Sequence, residues 1–255
     1  MNDVIRQLYE RKSVRAFTDR DIDEKIVQEI LTAAVMAPTA GNQQLYSILR
    51  ITDPHIKELL SESCDHQPFI AKGKLVLVFC ADCLKWYDAY DYEGCHPREP
   101  GPGDLILAID DALIAAQNAV TAAWSYGIGS CYIGDIMENA EEQRKILDLP
   151  DYVFPAALLV FGYPTKQQEN RKKPERAPLD YIVSENTYRR LDREQLRKTI
   201  MKGKEKESYA NWLQAFCKRK YHSDFAIEMS RSVTSYLGQY GEYNSEYNKE
   251  NKAEN

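Results

Sequence analysis

Leu75-Val76-Leu77-Val78-Phe79-Cys80-Ala81 is the stretch that sets the fold of this chain. The run is almost continuously apolar and rich in valine, which is typical of a β-strand covered on both faces. A second run of this kind, Ala156-Ala157-Leu158-Leu159-Val160-Phe161, comes later in the chain, and residues 46–52 form a third strand candidate. The sequence therefore predicts at least two fully buried strands.

Segments with a helical spacing of apolar residues lie before, between and after these strands. The pattern predicts helices at 3–10, at 26–34 after a cap at Asp21 or Asp23, from Pro54 onward after a cap at Asp53, at 104–126, at 138–147, at 192–220 and at 226–237. The helix at 104–126 is rich in alanine and apolar on most of its surface, so we expect a core or interface helix. Residues 93–103 and 166–176 are expected to be irregular loops. Residues 127–135 contain three glycines and are expected to form a loop whose backbone can approach a ligand.

Composition narrows the class of protein. The chain has 255 residues and a net charge of −6, so nothing in its overall charge indicates nucleic-acid binding. Asp110 and Asp111 interrupt the longest apolar run, which argues against a membrane span and for a soluble protein. The six cysteines show no disulfide spacing, so reduced thiols and a cytoplasmic location are expected. Cys80-Ala81-Asp82-Cys83 lacks a partner motif, so no metal site is predicted.

The segment Arg11-Lys12-Ser13-Val14-Arg15 is a candidate phosphate-binding element, because guanidinium and hydroxyl donors match phosphate oxygens. In an extended segment, Arg11, Ser13 and Arg15 share one face and Lys12 points away. A solvated basic turn is the alternative. A second basic cluster at 166–176 and an amide-rich loop at 38–44 supply further donors. Together these elements suit a phosphorylated flat heterocycle.

With these elements in place, the sequence resembles the FMN-dependent nitroreductase family, and within it the A-type oxygen-insensitive nitroreductases and NADPH–flavin oxidoreductases. The matching motifs follow the family's order and spacing over residues 4–191: Arg11-Lys12-Ser13-Val14-Arg15 with Phe17, Ala37-Pro38-Thr39 through Asn42 and Gln44, Arg50-Ile51-Thr52-Asp53, Val78-Phe79-Cys80-Ala81-Asp82, Tyr132-Ile133-Gly134-Asp135, and Lys173-Pro174 with Arg176-Ala177-Pro178.

The resemblance implies an α+β fold with a central antiparallel sheet wrapped by helices, in an intertwined homodimer with FMN at the subunit interface. It places the FMN-binding domain at 1–191. A helical extension at 192–239 would pack on the same domain or on the partner subunit. The polar tail at 240–255 is expected to be disordered.

The resemblance also implies which residues bind FMN. Those near the phosphate and ribityl chain would be Arg11, Ser13, Arg15, Lys173 and Arg176, and Lys12 would contribute through its backbone or through long-range charge. Those near the ribityl chain and the flavin ring would be Thr39, Asn42, Gln67, Tyr132, Ile133, Gly134 and Asp135. Thr39 stands where the family usually has serine, and Asp135 stands where A-type members have glycine. Arg219 lies where A-type members bind the 2′-phosphate of NADPH.

The implied activity is an NAD(P)H-dependent two-electron reduction of nitroaromatics, quinones or free flavin with ping-pong kinetics. NADPH or NADH would be the electron donor, and no protein side chain is required as a catalytic acid or base. Two alternatives stay open at this point. One is a family relative with narrower chemistry, such as a dehalogenase, and the other is a flavin- or nucleotide-binding protein without turnover.

Overall fold

A four-stranded antiparallel sheet forms the centre of the molecule. In this computed structural model, which describes residues 1–200 and 208–241, the strands are β1 (Tyr46–Arg50), β2 (Leu75–Asp82), β3 (Gly129–Ile133) and β4 (Val153–Gly162). Their order is β1-β2-β4-β3, and every neighbouring pair is antiparallel. Every residue of the central strands β2 and β4 is buried, which explains why both read as uninterrupted apolar runs.

Eleven α-helices accompany the sheet in the part of the chain that the structure describes. They are α1 (Asp3–Glu10), α2 (Glu24–Val35), α3 (Pro54–Ser63), α4 (Leu84–Tyr92), α5 (Pro102–Ser125), α6 (Ala140–Leu147), α7 (Lys166–Asn170), α8 (Leu179–Ile182), α9 (Arg193–Ile200), α10 (Tyr209–Tyr221) and α11 (Asp224–Leu237). The chain divides into two compact units. The first comprises residues 1–171 and the described residues from Glu228 onward, and the second comprises Lys172–Ile227.

The side chains of β2 alternate between two hydrophobic cores. Leu77 and Phe79 point into a core shared with α2 and α5, whereas Val76 and Val78 point into a core shared with α3 and α6. Alanine on the buried side of α5 lets this long helix lie close to the sheet. A sheet covered by helices on both faces confirms the predicted α+β class.

Local sequence signals set two helix starts. The Asp23 side chain accepts a hydrogen bond from the Lys25 backbone N–H at 2.8 Å, so Asp23 is the cap of α2 and Asp21 is not. The Asp53 side chain accepts one from the His55 N–H at 2.8 Å, with Pro54 as the first residue of α3. Both caps are among those that the sequence predicts.

Three predicted elements differ from the observed ones. The glycine-rich stretch at 127–135 is not a loop, because Gly129–Ile133 pairs with β4 as the edge strand β3 and a 3₁₀ turn follows at Gly134–Met137. The helix predicted at 192–220 is two helices, α9 and α10, and residues 201–207 lie outside the described part. The 166–176 loop begins with the short helix α7. Of the predicted disordered tail, 242–255 lies outside the described residues.

Helix α5 is the one helix among residues 1–200 and 208–241 whose length and apolar composition would suffice to span a membrane. Its buried residues are mostly alanines packed against the sheet, as in the core helix of a globular fold. Its composition is therefore explained by packing against the sheet.

Candidate functional site

The basic segment at 11–15 runs extended beside the edge strand β3. Ser13 forms a parallel bridge with Ser130, and the Val14 N–H donates to the Ser130 carbonyl oxygen at 2.9 Å. Val14 is fully buried, and a Cβ atom at Gly129 would lie 2.5 Å from its Cγ2 atom. Gly129 therefore leaves the space that lets the segment contact the strand.

Side chains of this segment alternate, as expected for an extended chain. Burial raises the pKa of the Cys131 thiol, and Arg15, Arg11 and Ser13 beside it oppose that increase. These three side chains therefore lie close enough to Cys131 to influence its thiol. The Lys12 ammonium points elsewhere and donates to the carbonyl oxygens of Glu169 at 2.6 Å and Arg171 at 2.5 Å.

Tyr132 extends this basic face along β3. The Arg11 guanidinium carbon lies 5.9 Å from the centroid of the Tyr132 ring, within the range of a cation–π contact. Burial raises the pKa of the Tyr132 hydroxyl to about 12, and the nearby Arg11 charge opposes the increase. The phenol therefore stays protonated at neutral pH.

The second basic cluster meets the segment through Arg171. The Arg171 guanidinium donates to the Ser13 carbonyl oxygen at 2.9 Å, and the Arg15 N–H donates to the Gln168 side chain at 3.4 Å. Lys173 and Arg176, which the sequence predicts at the phosphate, belong to the second compact unit. Arg219 belongs to the same unit, where its guanidinium lies 5.1 Å from the Phe216 ring centroid.

Gln67 and Asp135 are brought together at the end of β3. The Gln67 amide nitrogen donates to the Asp135 carboxylate at 3.1 Å and to the Cys64 carbonyl oxygen at 2.8 Å. Ile133 is buried, and Gly134 is the exposed first residue of the 3₁₀ turn. The carboxylate at 135, unusual by comparison with the family pattern, therefore fixes the orientation of the Gln67 amide.

Thr39 and Asn42 lie in a different loop, between α2 and β1. The Thr39 hydroxyl accepts from the Gln44 N–H at 3.2 Å, and the Gln44 amide nitrogen donates to the Asn42 carbonyl oxygen at 3.0 Å. Gly41, Asn42 and Gln44 have φ values of 56°, 57° and 53°, in the left-handed region. The buried Asp111 of α5 accepts from the Ala40 N–H at 3.0 Å and the Leu45 N–H at 3.1 Å.

Glu138 is a buried acid that the sequence does not single out. Only 7% of the residue is exposed, and its Oε1 atom has no hydrogen-bond partner among the residues that the structure describes. Burial, reinforced by the carboxylates of Asp135, Asp65 and Glu228, raises its pKa to about 7. The folded state therefore favours protonated Glu138.

Replacement of Glu138 by glutamine tests whether ionisation of this buried carboxyl group destabilises the folded state. An acid whose pKa is raised by folding weakens the folded state as pH rises from its unfolded pKa, near 4.5, through about 7. Glu138→Gln should match the wild type in urea unfolding at pH 4.5 and exceed it by about 1 kcal/mol at pH 8. The exposed Glu142→Gln change is the control. Equal stability of Glu138→Gln and wild type at pH 8 would contradict the assignment.

The structure thus sorts the predicted site residues into three places. Around β3 it brings together Arg11, Ser13, Arg15, Gln67 and 132–135. Thr39 and Asn42 lie in the α2–β1 loop, while Lys173, Arg176 and Arg219 lie in the second unit.

Sequence reasoning missed three residues with structural importance for this region. Asp111 gave a signal, since a single acid on the alanine face of a core helix must find buried donors. Arg171 was visible only as one charge in a basic run. The sequence gave no signal for Glu138, because its burial depends on the packing of other elements against the 3₁₀ turn.

The donor set beside β3 fits a phosphate monoester. Two guanidinium groups and a hydroxyl lie near Cys131 of β3, and donors of these types bind the oxygens of a dianion. This donor set therefore fits the phosphorylated ligand that the sequence predicts.

Comparison with known proteins gives the family. The profile described as the Nitroreductase family matches residues 8–163. The chain is 30% identical over 247 residues to a Bacillus subtilis (strain 168) protein named FMN reductase (NADPH), covering 89% of this chain and 98% of that protein. It is 31% identical over 252 residues to an NADPH-dependent oxidoreductase of Staphylococcus aureus (strain N315), with 91% and 98% covered. The chain belongs to the nitroreductase family.

Solved structures agree with this assignment. The structure of NADPH:FMN oxidoreductase from Vibrio harveyi complexed with NAD+ matches with a TM-score of 0.78 and 25% identity, covering 92% of this chain and 98% of that chain. The predicted resemblance and the nitroreductase-like fold are therefore confirmed.

Proposed function

We propose that this protein is an NAD(P)H-dependent FMN oxidoreductase that reduces small-molecule acceptors such as nitroaromatics, quinones or free flavin by two electrons in a ping-pong cycle. The observation that carries the proposal is the extended basic segment at 11–15, bridged to β3 through Ser13 and Ser130, in a member of the nitroreductase family. Relatives named FMN reductase and NADPH-dependent oxidoreductase support the same donor and cofactor.

Each group of residues has a distinct part in this proposal. Bound FMN supplies hydride chemistry at its ring. The side chains of 11, 13 and 15 hold the phosphate, and the family resemblance adds Lys173 and Arg176 to the phosphate-binding residues. The Lys12 ammonium instead holds the segment to the carbonyl groups of 169 and 171, so Lys12 contributes through position and charge. Gln67 and the backbone of 132–135 face the flavin ring, where fixed N–H donors stabilise negative charge.

A homodimer is part of the proposal. Helix α5 leaves Ile106, Leu107, Leu113 and Ile114 exposed, at seven-residue spacing along one side. An apolar strip of this kind on a core helix is typical of an interface between subunits. The intertwined arrangement would also let Thr39 and Asn42, which lie apart from the β3 group, contribute to a flavin between two copies. The mass of the purified protein in solution decides between one and two chains of 29.4 kDa.

We also propose domain boundaries and a cellular location for this protein. We keep an FMN-binding domain at 1–191, a helical extension at 192–239 and a polar tail at 240–255. All six cysteines are free, which supports a reducing, cytoplasmic location.

Arg219 is proposed to bind the 2′-phosphate of NADPH. It lies in the last turn of α10 between Lys218 and Lys220, so the local charge is positive. Reversing this charge with Arg219→Glu should raise the Michaelis constant for NADPH about tenfold and leave that for NADH almost unchanged, because only NADPH carries the 2′-phosphate. Equal effects on the two donors would contradict the role, and Arg193→Glu in α9 is a matched surface control.

Anaerobic stopped-flow spectroscopy of the purified protein tests the proposed function. A yellow protein should be bleached by NADPH or NADH and restored by a nitrofuran, a quinone or free FMN. A protein that holds FMN but is not bleached would instead be a binding protein. One that is bleached and is restored only by a narrow set of acceptors would be the specialised relative. A colourless protein that takes up no FMN would overturn all three functions.

A further inference from the structure

A single buried carboxylate holds both ends of the loop between α2 and β1. One Asp111 oxygen accepts from the Ala40 N–H at 3.0 Å, and the other accepts from the Leu45 N–H at 3.1 Å. These two donors bracket residues 41–44. Asp111 is only 3% exposed, so water does not compete for its oxygens.

The bracketed residues need such a constraint. Asn42 and Gln44, which are not glycines, adopt φ values of 57° and 53°, and Gly41 adopts 56°. L-residues enter this left-handed region at a cost, so a free loop would relax toward other conformations. Within the loop, the Gln44 N–H donates to the Thr39 hydroxyl and the Gln44 amide donates to the Asn42 carbonyl oxygen. The positions of Thr39 and Asn42 thus depend on the same geometry.

We infer that Asp111 is a positioning residue for FMN: its carboxylate fixes the left-handed loop that presents Thr39 and Asn42 to the cofactor. This inference rests on the proposed function, because it assumes that these two residues contact FMN. Asp111 itself acts only on backbone N–H groups. Its position in the rigid core helix α5 gives the loop a fixed point of attachment.

Asp111→Asn is the sharpest single change, because it keeps the side-chain shape but leaves one acceptor oxygen for two N–H donors. The neighbouring Asp110→Asn, at an exposed position, is the matched control. In the FMN-loaded protein, hydrogen–deuterium exchange of peptides covering 39–46 should quicken in Asp111→Asn and not in Asp110→Asn. FMN release on dilution, followed by flavin fluorescence, should become about tenfold faster.

Coupling to a loop substitution separates positioning from general destabilisation. Gly41→Ala places a Cβ no nearer than 3.9 Å to its nearest neighbour, Gln43 Cγ, but at a φ of 56°, so it strains the loop without touching Asp111. If Asp111 acts through the loop, the two substitutions together should speed FMN release by less than the product of their single effects. Exchange in β2 and β4 peptides should stay as in the wild type.

Two results would overturn the inference. One is FMN release from Asp111→Asn at the rate of Asp110→Asn, and the other is multiplicative effects with Gly41→Ala. Failure of the proposed function would look different, because the wild-type protein itself would then carry no FMN.

Discussion

Gly129→Ala should separate the basic segment at 11–15 from the sheet and cost both stability and FMN. A Cβ atom at 129 would lie 2.5 Å from Val14 Cγ2 and 2.7 Å from Val14 Cβ, closer than packed atoms approach. Val14 is fully buried and its N–H donates to Ser130, so it cannot move without breaking the bridge between Ser13 and β3. Overpacking of this kind costs about 1–3 kcal/mol.

Loss of FMN should accompany that cost, because Ser13 and Arg15 flank Val14. Urea unfolding and FMN fluorescence titration measure the two effects on one preparation. Gly103→Ala, in the first turn of α5 with no atom within 4 Å of the new Cβ, is the control and should be close to neutral. In the double variant Val14→Gly/Gly129→Ala the clash is absent, so part of the affinity should return. Wild-type affinity in Gly129→Ala would show that the segment is not held by this contact.

Much of the fold follows from the sequence. The uninterrupted apolar runs of β2 and β4 indicate burial on both faces, and the Asp53-Pro54 pair predicts the start of α3 from capping alone. The prediction of a loop at 127–135 was wrong, because it was based on glycines, which are typical of turns. Gly129 instead serves a contact with Val14, which is more than 100 residues away in sequence. Local patterns carry no information about such a close approach.

The candidate site could also be predicted only where local sequence patterns determine it. Alternation within an extended pentapeptide predicts that Arg11, Ser13 and Arg15 share a face, and their common approach to Cys131 agrees with that geometry. The partner of Lys12 could not be predicted, because its two acceptors are backbone carbonyl groups whose position depends on the turn after α7. For the same reason, the sequence shows Asp111 as a polar residue in a core helix but does not predict that it binds backbone N–H groups of a distant loop.

Arg15→Ala should weaken FMN binding about 100-fold, the largest effect expected from one side chain in this protein. Arg15 is exposed, and its side chain, like those of Arg11 and Ser13, lies close enough to Cys131 to influence the thiol. A charge-assisted bond from a guanidinium to a phosphate contributes about 1.5–3 kcal/mol. Arg20→Ala is a matched control, because Arg20 lies close by in the chain with its guanidinium 3.9 Å from the Tyr163 ring centroid.

Riboflavin, which lacks the phosphate, identifies the group that Arg15 binds. If Arg15 holds the phosphate, Arg15→Ala should weaken FMN and leave the weaker riboflavin affinity almost unchanged, so the preference for FMN over riboflavin should collapse. Lys12→Ala should weaken both flavins by a similar, smaller factor, because the Lys12 ammonium holds the segment through the carbonyl groups of Glu169 and Arg171. Equal losses of FMN and riboflavin in Arg15→Ala would instead mean that this arginine contacts the part that the two flavins share, and the phosphate would then depend on Arg11 and Ser13.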